Sequence, residues 1–479
     1  MTTAANDRAP GTAAPPSSAS AALVVWLLVG SAFVMILNET IMSVALPVLV
    51  VDLGISVSTA QWLTSGFLLT MAVVIPITGF LLQRFPPRRI YLASMSSFAA
   101  GTLISGLAPG FGVLMTGRIV QAVGTAVMVP LLMTSVIRLI PAERRGATMG
   151  TITVVIAVAP ALGPTLSGLL LSTLGWRSMF WIVLPIALVA LAAGAARLRI
   201  DAETRYVPLD LLSVVLSVLA FGGLVYGLSS IGESARGGSA VPPWLPTAVG
   251  AIAMVAFVAR QIRLQADGGA LLDLRPLANR PFATSIVLVV LSMMSLFGVL
   301  ILLPLYLQDV LGASAFTTGL AVLPGGLAMG LLGPVIGRLY DKVGARPLVP
   351  PGAVVLCGAL WAFTGLGESS PLWVVIAMHV VLVCGISLML TPLVTDALGM
   401  LPGEQVSHGS AIVSTLQQVA GAAGTALFIT LMTIGSAEAS AGTDVGGART
   451  AFLCAAIIAT AMLPITLLVG RRPKDRPAA

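Results

Sequence analysis

Fourteen separate apolar runs divide this chain, each long enough to cross a bilayer as a helix. They lie at approximately 22–48, 60–82, 90–108, 112–137, 146–172, 178–196, 209–231, 244–264, 282–308, 316–338, 348–366, 371–395, 408–433 and 450–470. A helix needs about 20 apolar residues to span the hydrocarbon core, and there every backbone N–H and C=O must be bonded internally. The pattern predicts fourteen transmembrane helices. Of the 479 residues, 57% are hydrophobic and 9% charged, whereas a soluble domain carries about 25% charged residues. So few charges cannot cover a water-exposed surface. A soluble enzyme, a nucleic-acid-binding module and a secreted domain are excluded, and the expectation is an all-α polytopic membrane protein.

The net charge of +7 suggests a polyanionic partner until the basic residues are placed. Taking the N-terminus as cytoplasmic, 21 of the 25 Lys and Arg fall on the inner side, three outside and Arg118 within a run. That split follows the positive-inside rule, so topology accounts for the charge. Both termini are expected in the cytoplasm, and no nucleic-acid partner is implied. Residues 1–20, rich in Ala, Pro, Ser and Thr, read as a disordered tail rather than a cleaved signal. Cys357, Cys384 and Cys454 lie inside apolar runs and read as packing, with no disulfide frame or metal site.

The runs repeat. Gly79-Phe-Leu-Leu-Gln-Arg-Phe-Pro-Pro-Arg-Arg89 follows run 2, and Gly337-Arg-Leu-Tyr-Asp-Lys-Val-Gly-Ala-Arg346 follows run 10, 258 residues later. Each is a basic turn after the second run of a six-run block. The expected division is a tail (1–20), a six-helix bundle (21–200), two inserted helices (201–275), a second bundle (276–470) and a tail (471–479). Two halves with a site between them at the midplane form one known transporter architecture.

The second turn resembles the Gly-x-Leu-x-Asp-Arg-x-Gly-x-Arg signature of the major facilitator superfamily. Further segments resemble its 14-span drug:proton antiporter branch: Leu37-Asn-Glu-Thr-Ile-Met-Ser-Val-Ala-Leu-Pro47, Arg118-Ile-Val-Gln-Ala-Val-Gly124, Ala159-Pro-Ala-Leu-Gly-Pro-Thr-Leu-Ser-Gly168, Trp176-Arg-Ser-Met-Phe-Trp181 and Gln417-Gln-Val-Ala-Gly-Ala-Ala-Gly-Thr-Ala426. The resemblance implies the major facilitator fold, with two six-helix bundles plus two inserted helices. The chain departs from the pattern at Gln83 and Pro86, where the family has Asp and Gly, and at Asn38, with the acid moved on to Glu39. Asn-Glu-Thr together with Gln-Arg-Phe is similar to the lincomycin-resistance subgroup.

Glu39 is the first candidate for proton coupling. A carboxylate near mid-membrane costs about 2.5–3.5 kcal/mol on insertion scales and normally faces protein or a wet cavity. It can hold a proton or a cationic substrate, or be locked in a structural network. Arg118 lies roughly 9 Å from the outer end of run 4, and Glu39 roughly 16 Å from that of run 1, by the helical rise. They are within coupling range in depth. Gln121 shares the face of Arg118.

Ala159, Gly163 and Ser167 form a small-residue stripe that permits close helix approach. Pro160 and Pro164 beside it can kink the helix. The resemblance implies that this hinge packs the two halves together. Asn38, Phe67, Gln121, Tyr306, Asp309 and His379 are candidates for a substrate cavity. Arg84, Arg88, Arg338, Asp341 and Arg346 are candidates for a cytoplasmic gate or for topology anchors, with the Gln83 copy expected to latch more weakly than Asp341.

No Gly-x-x-x-x-Gly-Lys-[Ser/Thr] loop occurs, so ATP drive from this chain is not expected, nor is a cofactor beyond the proton gradient. The reading is a proton-coupled exporter of amphipathic drugs or antibiotics in the cytoplasmic membrane, acting as a monomer. A metabolite or lipid exporter of the same fold, and a non-transporting membrane sensor or partner protein, are the alternatives.

Overall fold

The structure is a computed structural model that describes residues 18–55, 57–198, 210–234, 242–266, 269–435 and 445–470. The expected tails, and with them Arg8 and Arg471, lie outside these residues apart from the first turn of the first helix.

Sixteen α-helices follow in order: α1 (Ser18–Leu53), α2 (Val57–Arg84), α3 (Pro87–Gly106), α4 (Phe111–Leu139), α5 (Ala142–Leu174), α6 (Arg177–Arg197), α7 (Leu211–Ser217), α8 (Gly223–Ser234), α9 (Trp244–Leu264), α10 (Arg275–Ala278), α11 (Arg280–Leu305), α12 (Ala315–Val343), α13 (Val349–Phe363), α14 (Leu372–Gly399), α15 (Val406–Gly435) and α16 (Val445–Thr466). A π-helical turn, Val218–Gly222, joins α7 to α8, and another, Tyr306–Val310, extends α11. With α7 and α8 counted as one rod and the short α10 set aside, fourteen rods stand where fourteen spans were expected. Among the described residues, 11 are long and apolar enough to cross a membrane, and α13 is apolar but short. No strand occurs among the described residues.

The rods run alternately. Contacts between helix ends gather the arginine-rich turns at one end of the molecule. There Arg88 donates to the Ala195 carbonyl at the close of α6 (2.6 Å), and Gln83 reaches the Glu404 carbonyl (3.0 Å). At the opposite end the Trp176 indole donates to Asp52 (2.6 Å), and Arg177 bonds the Ala108 carbonyl (3.0 Å).

The internal repeat is visible in the packing. Gly124 of α4 presses against Ser94 and Phe98 of α3; Gly385 of α14 presses against Gly352 and Leu356 of α13. These crossings have the same form 258 to 261 residues apart. In each, the absence of a Cβ lets the backbones touch.

The halves meet along two seams. In the first, α5 lies on α12 with Gly146 and Gly150 facing Gly337 and Gly333, backbone against backbone. Both helices carry Gly-x-x-x-Gly there, and small residues at that spacing are what close packing of membrane helices uses. Higher up, the Thr153 and Thr391 hydroxyls bond at 2.9 Å between α5 and α14. In the second seam α2 and α4 face α15, with Gly79 against His408 and the Thr134 hydroxyl on Ser410 (3.1 Å). These links lie towards the arginine-rich end, so that end is closed.

The inserted pair, α7–α8 and α9, lies on the second seam. Trp62 of α2 stacks on Tyr226 of α8 at 5.6 Å, and Gly222 rests near Val73 of α2. Asp210 caps α7 by accepting from Ser213 N (3.1 Å), and it is held by Arg260 of α9 through two bonds of 2.6 and 2.8 Å. Those bonds, with the Arg260 pairing foremost, hold the Asp210 carboxyl well below the usual carboxylate range. A carboxyl depressed in the fold stabilises above its unfolded pKa of about 3.9 and loses that contribution as pH falls from there through the lower folded value. Asp210→Ala is therefore expected to lower the melting temperature at neutral pH, with about 1 kcal/mol from the lost cap alone. The difference should shrink on acidification; an equal deficit at all pH values would count against the pairing.

Candidate functional site

The polar centre of the first bundle is built around Arg118, which is fully buried. Its Nη1 donates to Asn38 Oδ1 of α1 (3.2 Å) and to Gln121 Oε1 one turn along α4 (3.0 Å), and its Nε donates to the Leu63 carbonyl of α2 (3.4 Å). The guanidinium lies over the Phe67 ring at 4.1 Å, a cation–π contact worth about 2 kcal/mol when desolvated. Gln121 is fixed in turn by donating to Thr102 of α3 (2.8 Å). Arg118 Nη2 is buried with no hydrogen-bond partner. Four helices thus hold one guanidinium and leave one of its terminal nitrogens uncommitted.

Glu39 follows Asn38 on α1 and is half-buried. It makes no ion pair with Arg118, although each side chain feels the other's charge. The next two residues of this turn are held from the other side. Gly163 of α5 packs on Thr40, and Ser167 Oγ donates to the Ile41 carbonyl at 2.9 Å. One turn of α1 is therefore gripped by α4 through Asn38 and by α5 through Thr40 and Ile41, with Glu39 between.

This placement corrects the expectation for the α5 stripe. Gly163 and Ser167 bind α5 to α1 within the first bundle; the halves meet through the other end of α5, at Gly146, Gly150, Thr153 and Val158. At Gly163 and Ser167 the face of the stripe is occupied by α1. The side chains of Pro160 and Pro164 lie outside the described residues, and α5 continues through both positions. A Cβ at Gly163 would overlap Thr40, so Gly163→Ala is expected to reduce transport and Gly163→Leu to abolish it at equal expression. Unimpaired transport by the leucine variant would refute the close contact.

The other candidates divide. Asn38, Phe67 and Gln121 surround Arg118 and are buried. Tyr306 is buried elsewhere, its hydroxyl on the Gly367 carbonyl (2.7 Å), and Asp309 is exposed at the far end of α11. Neither joins the Arg118 cluster, because the π-turn carries both to the end of the bundle. His379 stands 261 residues after Arg118, seven residues into α14 as Arg118 is into α4. It packs on Gly325, which lies 258 residues after Phe67. His379 is thus the second-half counterpart of Arg118, with its Nδ1 buried and unbonded.

At the arginine-rich end Asp341 accepts from Gly146 N (2.7 Å) and Ala147 N (2.8 Å) near the start of α5. A carboxylate on helix N–H groups is favourably placed against the helix dipole. The four arginines do not share this contact. Arg84 lies by the Phe80 and Phe85 rings, Arg88 closes α6, and Arg338 and Arg346 are exposed. Thr102, Thr40 and the facing Gly-x-x-x-Gly pairs escaped sequence reasoning; the glycine spacing on α5 and α12 was the signal available for the last. Among the described residues no cluster of His, Cys, Asp and Glu suits a metal ion.

Two helical halves of repeated packing around buried polar groups, crossed by membrane-length helices, define a membrane transport protein and not an enzyme. The chain belongs to the Major Facilitator Superfamily, whose family model matches residues 28–425. It is 41% identical over 403 residues to the lincomycin resistance protein LmrB of Listeria monocytogenes, covering 84% of each chain. It is 37% identical over 465 residues to the MFS-type transporter YcnB of Bacillus subtilis, covering 95% of this chain and 97% of that one. In fold it is similar to the human organic anion transporter MFSD10, with a TM-score of 0.66 at 16% identity, covering 95% of this chain and all of that one.

Proposed function

We propose that the protein exports amphipathic drugs or antibiotics across the cytoplasmic membrane in exchange for protons. Its two bundles, 21–200 and 276–470, would open alternately to either side, with the inserted pair within 201–275. The arginine-rich end is cytoplasmic, as are both termini, and the working unit is the monomer. The observation that carries this reading is the grip on one turn of α1. Glu39 sits between an arginine clamp on α4 and the small-residue face of α5. A change in its charge is felt by Arg118, which bonds α1 and α2 and, through Gln121, is tied to α3, and α5 carries that turn's position along its length to the seam with α12. The relatives named for lincomycin resistance support a drug as cargo.

The test is purified protein in proteoliposomes with an imposed pH gradient and a panel of lincosamides and other amphipathic drugs. Drug movement that follows the gradient and collapses with it is the expected result. Drug movement indifferent to the gradient would refute proton exchange, and absence of movement across the panel would refute the cargo class.

A further inference from the structure

The two seams are clasped differently. On the first, Asp341 of α12 accepts from the amides of Gly146 and Ala147 on α5. The repeat places Gln83 of α2 where Asp341 stands and His408 of α15 where Gly146 stands, 258 and 262 residues apart. The second seam therefore lacks the carboxylate. A segment from outside both bundles fills the gap. Ala270, Leu271, Leu272 and Asp273, between α9 and α10, are buried. The Leu272 amide donates to Gln261 of α9 (3.2 Å), and the Asp273 amide donates to His408 Nδ1 (3.2 Å). His408 in turn packs against Gly79 of α2, where a side chain would meet its ring. Gln83 adds its own bond to the Glu404 carbonyl just before α15.

We propose that His408 and the 270–275 linker form a second clasp of the cytoplasmic gate, holding α2 to α15 while His408 is neutral and releasing them when it is protonated. This rests on the orientation and alternating access proposed above. A neutral imidazole has one acceptor nitrogen, and here it is Nδ1. Protonation turns both ring nitrogens into donors, so an N–H would face the Asp273 N–H and the bond must break. The imidazole is also the surface on which Gly79 rests, so the linker and α2 lose their seat together.

The charged groups facing the ring are Asp273 and Arg275 of the linker, with Glu404 acting on Arg275. Asp273 and Arg275 are paired, with Nε to Oδ2 at 2.7 Å. Burial alone would raise the Asp273 carboxyl, but the Arg275 guanidinium and amide hold it below the usual range. From α2 the ring meets Gly79, with neutral Gln83 one turn on and the Arg84 guanidinium turned to Phe80 and Phe85. From α9 the linker is held by neutral Gln261, and from α4 the neighbouring contact is neutral Thr134. His408 is thus a positioning residue for the gate, and through it the inserted helices act on transport: they anchor the linker.

The experiment measures the gate without reference to cargo, so its failure is distinct from failure of the proposed function. Spin labels are placed at Arg89 and Gly403, both exposed, with the three native cysteines replaced by serine and Glu39→Gln present so that the central carboxylate cannot drive the response. Between about pH 8 and about pH 4, low enough to protonate an imidazole whose burial disfavours its charged form, the longer separation should gain population about fivefold, as expected for losing one hydrogen bond. His408→Asn keeps an acceptor near the Nδ1 position and cannot titrate in this range, so it should remain closed throughout. His408→Gln should be open throughout.

An unchanged pH response in His408→Asn would overturn the proposal. Because the chain has only two histidines, imidazole nitrogen NMR on the otherwise native protein, assigned with a His379→Gln variant, provides a second measurement. A His408 ring that stays neutral at the pH where the gate opens would overturn it as well.

Discussion

Glu39→Gln is expected to reduce proton-driven efflux to that of liposomes without protein, while expression and melting temperature stay at the wild-type level. Glutamine matches the size of the side chain and keeps its hydrogen-bonding capacity, so the α1 turn remains seated, with Asn38 against Arg118 of α4 and Thr40 against Gly163 of α5. What it cannot do is take up and release a proton. Substrate exchange under equal pH on both sides should persist, because that half of the cycle needs no proton transfer. Efflux undiminished in the presence of a gradient would remove Glu39 from the coupling. Loss of both efflux and exchange would mean that the carboxylate serves binding or folding instead. Arg118→Lys is a useful companion. The ammonium keeps the charge but not the planar fork that now bonds Asn38, Gln121 and the Leu63 carbonyl.

Gly337→Val is expected to abolish transport by holding the arginine-rich end open. A Cβ there would overlap the Gly146 carbonyl, and the nearest atoms are backbone. No side chain is available to turn aside, so α12 and α5 must separate. Asp341 would then lose the Gly146 and Ala147 amides, since both bonds lie one turn further along the same contact. The measurement is labelling of a single cysteine at Thr153, which faces Thr391 across the seam. Labelling from the arginine-rich side should increase in Gly337→Val relative to the same cysteine in the native background. Normal transport by this variant would show that the backbone contact is dispensable.

Much of this molecule was legible in its sequence because the membrane makes a strong demand on local composition. Twenty apolar residues must form a helix where no water can satisfy the backbone, so the fourteen rods and their alternation followed from hydropathy and loop charge. Glu39 stood out as a candidate too, because a carboxylate in that setting is costly. Its partners did not. Asn38 and Gln121 suit a cavity by sequence, and only the structure shows both committed to Arg118.

The α5 stripe shows what sequence alone leaves open. Ala159, Gly163 and Ser167 announce a close helix contact, since small residues are how membrane helices approach each other. The spacing does not say which helix approaches. The structure assigns α1, while a second glycine pair on the same helix, Gly146 and Gly150, meets α12. Likewise the loss of an acid at Gln83 was visible in the sequence as a departure, but its replacement by His408 and a linker 190 residues further along from Gln83, at Asp273, was not. Composition and periodicity are local properties and fix elements, ends and topology. Which faces pair depends on surfaces brought together from distant parts of the chain, and only the tertiary structure decides that.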